Sequence, residues 1–503
     1  MDDAKRHLLH ADTDGRRRRR WCEIGLIVAA SLIAAAGARD YAGGWNDGSR
    51  LATVESLVDR HTLAIDDSIF VRSPATADAP NPYAPGNELL RTKGTQDKLF
   101  IGGRYYSDKS PLPAFWLAAW YELFQSTTGL TAHGHPRLFC YLMTLASAGI
   151  AYVVTVWSIW RLALRQELPL AICLLLAGSS ALATVALPYT RHVNNHIMLL
   201  AVVSLLMLVL DRMVPQTARV KEPCDSEDGE SLPISSSHGR LLGAAMAGGL
   251  AAIGYTLDLG LGPVLLVCTT LLVVFRRRSI LAIGCFALAA VPWLAAHHGL
   301  NYATGGTFGP ANAVPEYVSW PGSPFSSQNM TGGWAHRNIG HFFLYTAALL
   351  FGKHGFLNYN LPLFLVALAR LTHLVRRRPN RLPELIFAAA FAGGAWLLYA
   401  AMSNNYSGPC CSIRWFVPFV APAYYVLAVL LRERPELARP LTFLTASGAV
   451  LSAVLWWRGP WEGTVPLVLW PLNAAALLAW PWIKARVRPP SEQTNEVAWR
   501  QAA

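Results

Sequence analysis

Charge is scarce in this chain: only 15% of its 503 residues are Asp, Glu, Lys or Arg, against 53% hydrophobic. A soluble protein of this length would form about three domains, and so little charge excludes that organisation. Cysteine is sparse too. The eight present are too few for a disulfide framework, and Cys22, Cys140, Cys173, Cys268 and Cys285 lie inside apolar runs as small core residues. No Gly-rich phosphate loop occurs, so nothing points to a nucleotide substrate. The net charge of +12 invites a nucleic-acid reading, but the basic residues sit between apolar runs, as the orientation of a membrane protein requires. No nucleic-acid partner is expected.

What the sequence has is apolar runs. A membrane span needs roughly 20 mainly apolar residues, and candidates occur near 21–38, 138–160, 168–189, 194–213, 240–257, 259–275, 280–297, 356–375, 383–402, 413–431, 440–457 and 465–483. The expected fold is therefore all-α, a polytopic membrane protein of about twelve transmembrane helices over 21–483. It has a basic cytoplasmic segment at 1–20 and a cytoplasmic tail at 484–503. The apolar stretch from Pro111 to Phe124 is too short to span and carries Glu122, so it reads as a helix lying in the interface. With the N-terminus inside, the inner segments hold 28 of the 43 Lys and Arg, and counting Pro111–Phe124 as a span would reverse everything after it. Arg16–Arg20 and the apolar run behind them also fit a cleavable signal peptide. Residues 214–239, rich in acids, Pro, Ser and Gly, have the composition of a disordered cytoplasmic linker.

In this topology the ionisable groups at span ends collect on the outer face. Two long outer loops, 39–137 and 298–355, carry many of them. Asp47 follows the first span, and Asp108 and Lys109 precede the interfacial helix. Arg191, His192 and His196 occupy a short outer turn, Asp258 ends one span and Arg414 opens another, while Arg337 and Lys353 belong to the second long loop. Such groups are costly near a bilayer and are functional candidates. Each also has a bland reading. Asp47 suits a helix cap before the periodic run Leu51, Val54, Leu57, Val58. Asp108 and Lys109 suit an exposed ion pair, and Arg191, His192 and His196 suit headgroup anchors. Trp320 reads as an interface anchor, and Cys410 and Cys411 as small packing residues or an outer-face disulfide. His192 and His196, four apart, would share a face if their turn were helical, so a divalent metal is compatible, with no motif demanding one.

Asn46-Asp47-Gly48-Ser49-Arg50 just after the first span, paired with Gly103-Arg104-Tyr105-Tyr106-Ser107-Asp108-Lys109-Ser110-Pro111-Leu112 at the end of the same loop, resembles the C-type (GT-C) membrane glycosyltransferase superfamily. The pattern is that of the protein mannosyltransferases and lipid A aminoarabinose transferases, in a poorly characterised bacterial branch. In those enzymes an Asp, usually followed by Glu and with Arg three residues on, opens the first outer loop, and an acid-Lys-Pro-Pro motif begins a juxtamembrane helix. Here Gly48 replaces the Glu and Ser110 replaces the first Pro. The likeness is specific over 40–125 and diffuse elsewhere.

The resemblance implies a transferase in the bacterial cytoplasmic membrane, its site extracytoplasmic, that takes a sugar from a polyprenyl-phosphate donor. The acceptor is a glycan, lipid or protein hydroxyl, membrane lipid is a partner, no nucleotide is needed, and a divalent metal is the one cofactor left open. In the expected mechanism Asp47 accepts the acceptor's proton in a single inverting displacement. Lys109, Arg191 and Arg414, with Arg50, Arg337 or Lys353, stabilise the leaving phosphate. Asp108 orients Lys109, or joins His192 or His196 at a metal, and Asp258 contacts substrate. The rival expectation is a lipid-linked sugar flippase or other secondary transporter. That class places its polar groups near the bilayer midplane, often at broken helices.

Overall fold

A computed structural model describes residues 2–72, 81–214, 237–326, 332–334, 336–367 and 379–487. Most of the 214–239 linker, the tail beyond 487 and the second half of the expected 356–375 span lie outside the described residues. The protein is a mostly helical, multi-pass membrane protein, with eight helices long and apolar enough to cross a membrane among the described residues.

In chain order the helices used below are α1 (Asp2–Gly37), α2 (Trp45–Arg60), α3 (Leu112–Thr128), α4 (Pro136–Arg165), α5 (Leu170–Leu182), α6 (Asn195–Arg212), α7 (Ser237–Leu257), α8 (Leu261–Arg277), α9 (Ile280–Gly305), α10 (Ile339–Phe351), α11 (Leu382–Met402), α12 (Val420–Glu433), α13 (Ala438–Arg458) and α14 (Leu469–Leu478). Local chemistry sets their ends. The Asn194 side chain accepts from Ile197 N at 3.0 Å to start α6. Gly306, at φ +65°, lets α9 stop in a left-handed turn. Helices α6 and α12 are enclosed by others, whereas α9 turns Ile280 and Leu288 outward, 91% and 76% exposed, as expected of an apolar face against lipid.

Twelve spans are not shown. Four of the expected ones are short or interrupted: 168–189 gives α5 and then a tight turn at Pro188–Arg191, 259–275 gives the 17-residue α8, 465–483 gives α14 and a further short helix, and 356–375 begins as tight turns at Leu357–Tyr359 and Leu361–Leu363. Pro188, Pro362 and Pro481 lack the N–H that a continuous helix needs. Two of these interrupted stretches meet where Asn360, fully enclosed, accepts from Val185 N at 3.0 Å. A freed backbone group deep in the protein thereby gains a partner.

The long segment 39–137 folds with the start of α4 around a second core that includes Leu51, Val54, Phe70, Tyr83, Tyr121 and Phe139. Helix α3, 17 residues long, packs on α2 and leaves Phe115, Trp116 and Leu123 exposed. The loop also corrects the all-α expectation. Lys98–Ile101 (β1) and Arg104–Ser107 (β2) pair antiparallel, joined by Gly102-Gly103 at φ +58° and +83°, the geometry that a two-residue hairpin turn demands. Trp320 is not free in the interface either: it packs edge-on to Tyr105 and donates to Lys98 O at 3.2 Å.

Candidate active site

The open end of the hairpin builds the site. Lys98 pairs with Ser107, so Asp97, just before β1, comes beside Asp108 and Lys109, just after β2. Lys109 Nζ lies 2.8 Å from Asp97 Oδ2 and 2.7 Å from Asp108 Oδ2. Ser49 of α2 donates to Asp97 O at 2.5 Å. Its oxygen is therefore the acceptor in the 2.6 Å contact with Ser107 Oγ, which ties α2 to the hairpin. Burial pushes the Asp108 carboxyl above the ordinary carboxylate range; Lys109 opposes that shift and the like charge of Asp97 adds to it.

Arg50, one turn along α2, is 7% exposed and hydrogen bonds Asn46 Oδ1 at 3.4 Å. Among the described residues no carboxylate is within ion-pair distance of it. Burial lowers its guanidinium pKa to about 10 against the pull of Asp108, so it is charged at neutral pH. A buried charge without a close counter-ion is costly, and Arg50 is thus suited to an anionic ligand.

Two clefts flank Lys109. One, of about 480 Å³, is lined by Tyr106, Asp108, Lys109, Asn301, Thr304 and Asn312 among others. The other, of about 290 Å³, is lined by the charged and polar Arg50, Thr53, Ser107, Lys109 and Ser110 and by the apolar Pro113, Leu117 and Met198 among others.

The other acids at this end are walled in. Asp47 is 1% exposed and sits at the third position of α2, where Oδ2 accepts from Gly43 N at 2.6 Å and Oδ1 from Gly44 N at 2.8 Å. It does cap the helix, reaching back as a capping box does. His192 Nδ1 is 3.3 Å from Asp47 Oδ2 but not aligned for a hydrogen bond. Asp258 starts α8 by accepting from Gly260 N and Leu261 N, both at 3.0 Å, and also binds Asn195 Nδ2 at 3.1 Å and the Tyr399 hydroxyl at 3.3 Å. His196 Nδ1 is 3.4 Å from Asp258 Oδ2, again out of line. The two imidazoles share no helix face, because His192 is extended and α6 begins only at Asn195. Among the described residues no three His, Cys, Asp or Glu side chains form a metal-holding group.

The cations divide. Arg191 donates to Trp457 O at 2.6 Å and lies over the Trp456 ring, closing the end of α13, where a cation suits the helix dipole. Arg414 lies 6.0 Å from the Trp461 ring centre with its Nε enclosed and unpartnered; its charge is felt by Arg50. Arg337 and Lys353 are exposed, at the two ends of α10, and no contact joins them to the cluster among the described residues. Cys410 and Cys411 are buried and unbridged.

Sequence reasoning missed Asp97, Ser49 and Ser107. The signal was Gly102-Gly103 between two short alternating runs, a hairpin signature that fixes which residues face one another at its open end. The two residues that depart from the resembled motif have distinct surroundings. A Cβ at Gly48 would collide with the Tyr83 hydroxyl, and Ser110 Oγ lies 3.4 Å from His297 Nδ1.

No known family model matches the chain, and no curated protein is similar to it in sequence. Among solved structures, ArnT from Cupriavidus metallidurans bound to undecaprenyl phosphate is 13% identical, with a TM-score of 0.44 over 92% of this chain and 76% of that one. The same protein in the apo state is 16% identical, with a TM-score of 0.45 over the same shares. The oligosaccharyltransferase of Archaeoglobus fulgidus is 12% identical, with a TM-score of 0.42 over 90% of this chain and 56% of that one. The chain is structurally similar to these proteins at low sequence identity, a likeness of overall outline.

Proposed function

We propose that this protein is a membrane glycosyltransferase that moves a sugar from a polyprenyl-phosphate donor to an acceptor hydroxyl on the extracytoplasmic face. The observation that carries the reading is the smaller cleft, whose lining combines the cations Arg50 and Lys109 with the apolar Pro113, Ala114, Leu117, Val193 and Met198. A lipid phosphate has that form, an anionic head on an apolar chain. The motif resemblance over 40–125 points the same way.

In the proposed step the acceptor oxygen attacks the anomeric carbon, the bond from that carbon to the phosphate oxygen breaks, and the configuration inverts. The lipid phosphate leaves with the electron pair, its charge met by Lys109 and Arg50. The acceptor's proton passes to a carboxylate, and geometry favours Asp108, which lines the larger cleft beside Lys109. For Asp47 to serve instead, the amide of Gly43 or Gly44 must release an oxygen. Asp258 is assigned to starting α8 and Arg191 to closing α13, while Arg414 lends positive potential to Arg50.

A transporter of lipid-linked sugars is the second reading, favoured by the interrupted segments that meet at Asn360. Proteoliposomes supplied with a panel of radiolabelled polyprenyl-phosphate sugars separate the two. Label moving to protein, lipid or glycan supports transfer, and label crossing the bilayer still on its lipid supports transport.

A further inference from the structure

We infer that the larger cleft is a subsite for an uncharged, polyhydroxylated group, recognised by the side-chain oxygens of Asn301 and Asn312; this deepens and rests on the transferase reading. Its only charged lining residues are Asp108 and Lys109, which are paired at 2.7 Å. The remaining polar lining is amide and hydroxyl.

Both amides are oriented by the protein. Asn312 Nδ2 donates to Asp108 O at 3.0 Å. Asn301 Nδ2 lies 3.2 Å from Nε2 of His297, one turn earlier on α9. With that nitrogen accepting, His297 carries its proton on Nδ1, directed at Ser110 Oγ. Ser110, a departure from the family pattern, is thus the far end of a chain from the Lys109 loop through His297 to Asn301. No protein donor reaches Oδ1 of either Asn among the described residues, so two acceptor oxygens remain to receive hydroxyl protons. Thr304 and Tyr106 add hydroxyls that rotate to suit. Because Asp108 and Lys109 are already paired, a carboxylate or an ammonium entering the cleft has to compete for one of them while bringing like charge beside the other. A neutral sugar ring meets neither penalty. Such a ring belongs either to the donor or to a glycan acceptor.

The test uses the full chain in nanodiscs with three probes: decaprenyl phosphate, decaprenyl-phosphate mannose, and methyl mannoside added at saturating decaprenyl phosphate. Asn301→Leu and Thr304→Val are expected to bind decaprenyl phosphate as the unaltered protein does. They lose about 10-fold and about 3-fold, respectively, for one sugar probe. Loss on decaprenyl-phosphate mannose assigns the cleft to the donor sugar; loss on methyl mannoside assigns it to the acceptor. Thr304→Val, which disturbs no inter-residue hydrogen bond seen here, carries the test if Asn301→Leu does not fold. The unaltered protein is expected to bind decaprenyl-phosphate glucuronate and a decaprenyl-phosphate amino sugar at least about 10-fold more weakly than the mannose lipid. Unchanged sugar affinities in the folded variants, or equal affinity for a charged sugar, overturn the inference. Failure of the unaltered protein to bind decaprenyl phosphate removes the transferase reading, and this inference with it.

Discussion

Two kinds of acid stand at the same end of this molecule. Asp47 and Asp258 each sit near an imidazole; Asp47 spends both oxygens on backbone amides at a helix start, and Asp258 spends Oδ1 on two such amides and Oδ2 on the Asn195 side chain. Asp97 and Asp108 instead share one ammonium at the open end of a hairpin, with a cleft on either side of Lys109. Both arrangements satisfy a carboxylate, but only the second leaves one within reach of a substrate. A proton acceptor has to come within hydrogen-bond distance of the proton it takes. Accessible oxygens, more than charge or burial, therefore separate the acid proposed to take the proton from the structural ones here.

The largest effect that would break this contrast is at Lys109. Lys109→Ala leaves two carboxylates facing each other and removes the proposed phosphate partner. It is expected to lower transfer by about 10²–10³-fold, as read from steady-state rates in proteoliposomes. Arg50→Gln is expected to act mainly on donor binding, weakening lipid phosphate affinity by about 10-fold or more in a nanodisc titration. Asp47→Asn sharpens the contrast from the other side. One of the Gly43 and Gly44 amides then faces an NH2 group in place of an acceptor, and a loss of about 1–3 kcal/mol is expected in thermal or denaturant unfolding.

The smallest effect is a shift in pH dependence. Asp108 has to be ionised to take a proton, so the rate falls as pH drops through its raised pKa. The acid limb is expected above the usual carboxylate value of about 4. Asp97→Asn removes the like charge and leaves Lys109 to Asp108 alone; both changes lower that pKa, so the limb moves to lower pH. A limb that stays in place or moves up removes Asp97 from the account.

Much of this was legible from residue order. Long apolar runs mark the eight spans, because a helix crossing lipid needs little beyond length and side-chain apolarity. Asp108 and Lys109 stood out because charge beside a bilayer is costly, and Arg50 because of the motif resemblance. Other features depend on partners distant in sequence. Asp97 joins the site only through the register of β1 and β2, and an eye tuned to long apolar stretches passes over two four-residue strands. His192 and His196 look like one helical pair in sequence, but the Pro188 turn and the Asn194 cap send them to different acids. The interruption near Val185 is tolerated because Asn360, 175 residues away, supplies the acceptor.

The central claim is that the Asp97, Lys109 and Asp108 cluster is the reaction centre and the enclosed Asp258 is not. The most direct measurement compares single-turnover sugar transfer by Asp108→Asn and Asp258→Asn in the same lipid preparation. The account predicts that Asp108→Asn loses about 10²–10⁴-fold while still binding lipid phosphate, and that folded Asp258→Asn stays within about 3-fold of the unaltered rate. Near-normal transfer by Asp108→Asn, or a collapse confined to Asp258→Asn, contradicts it.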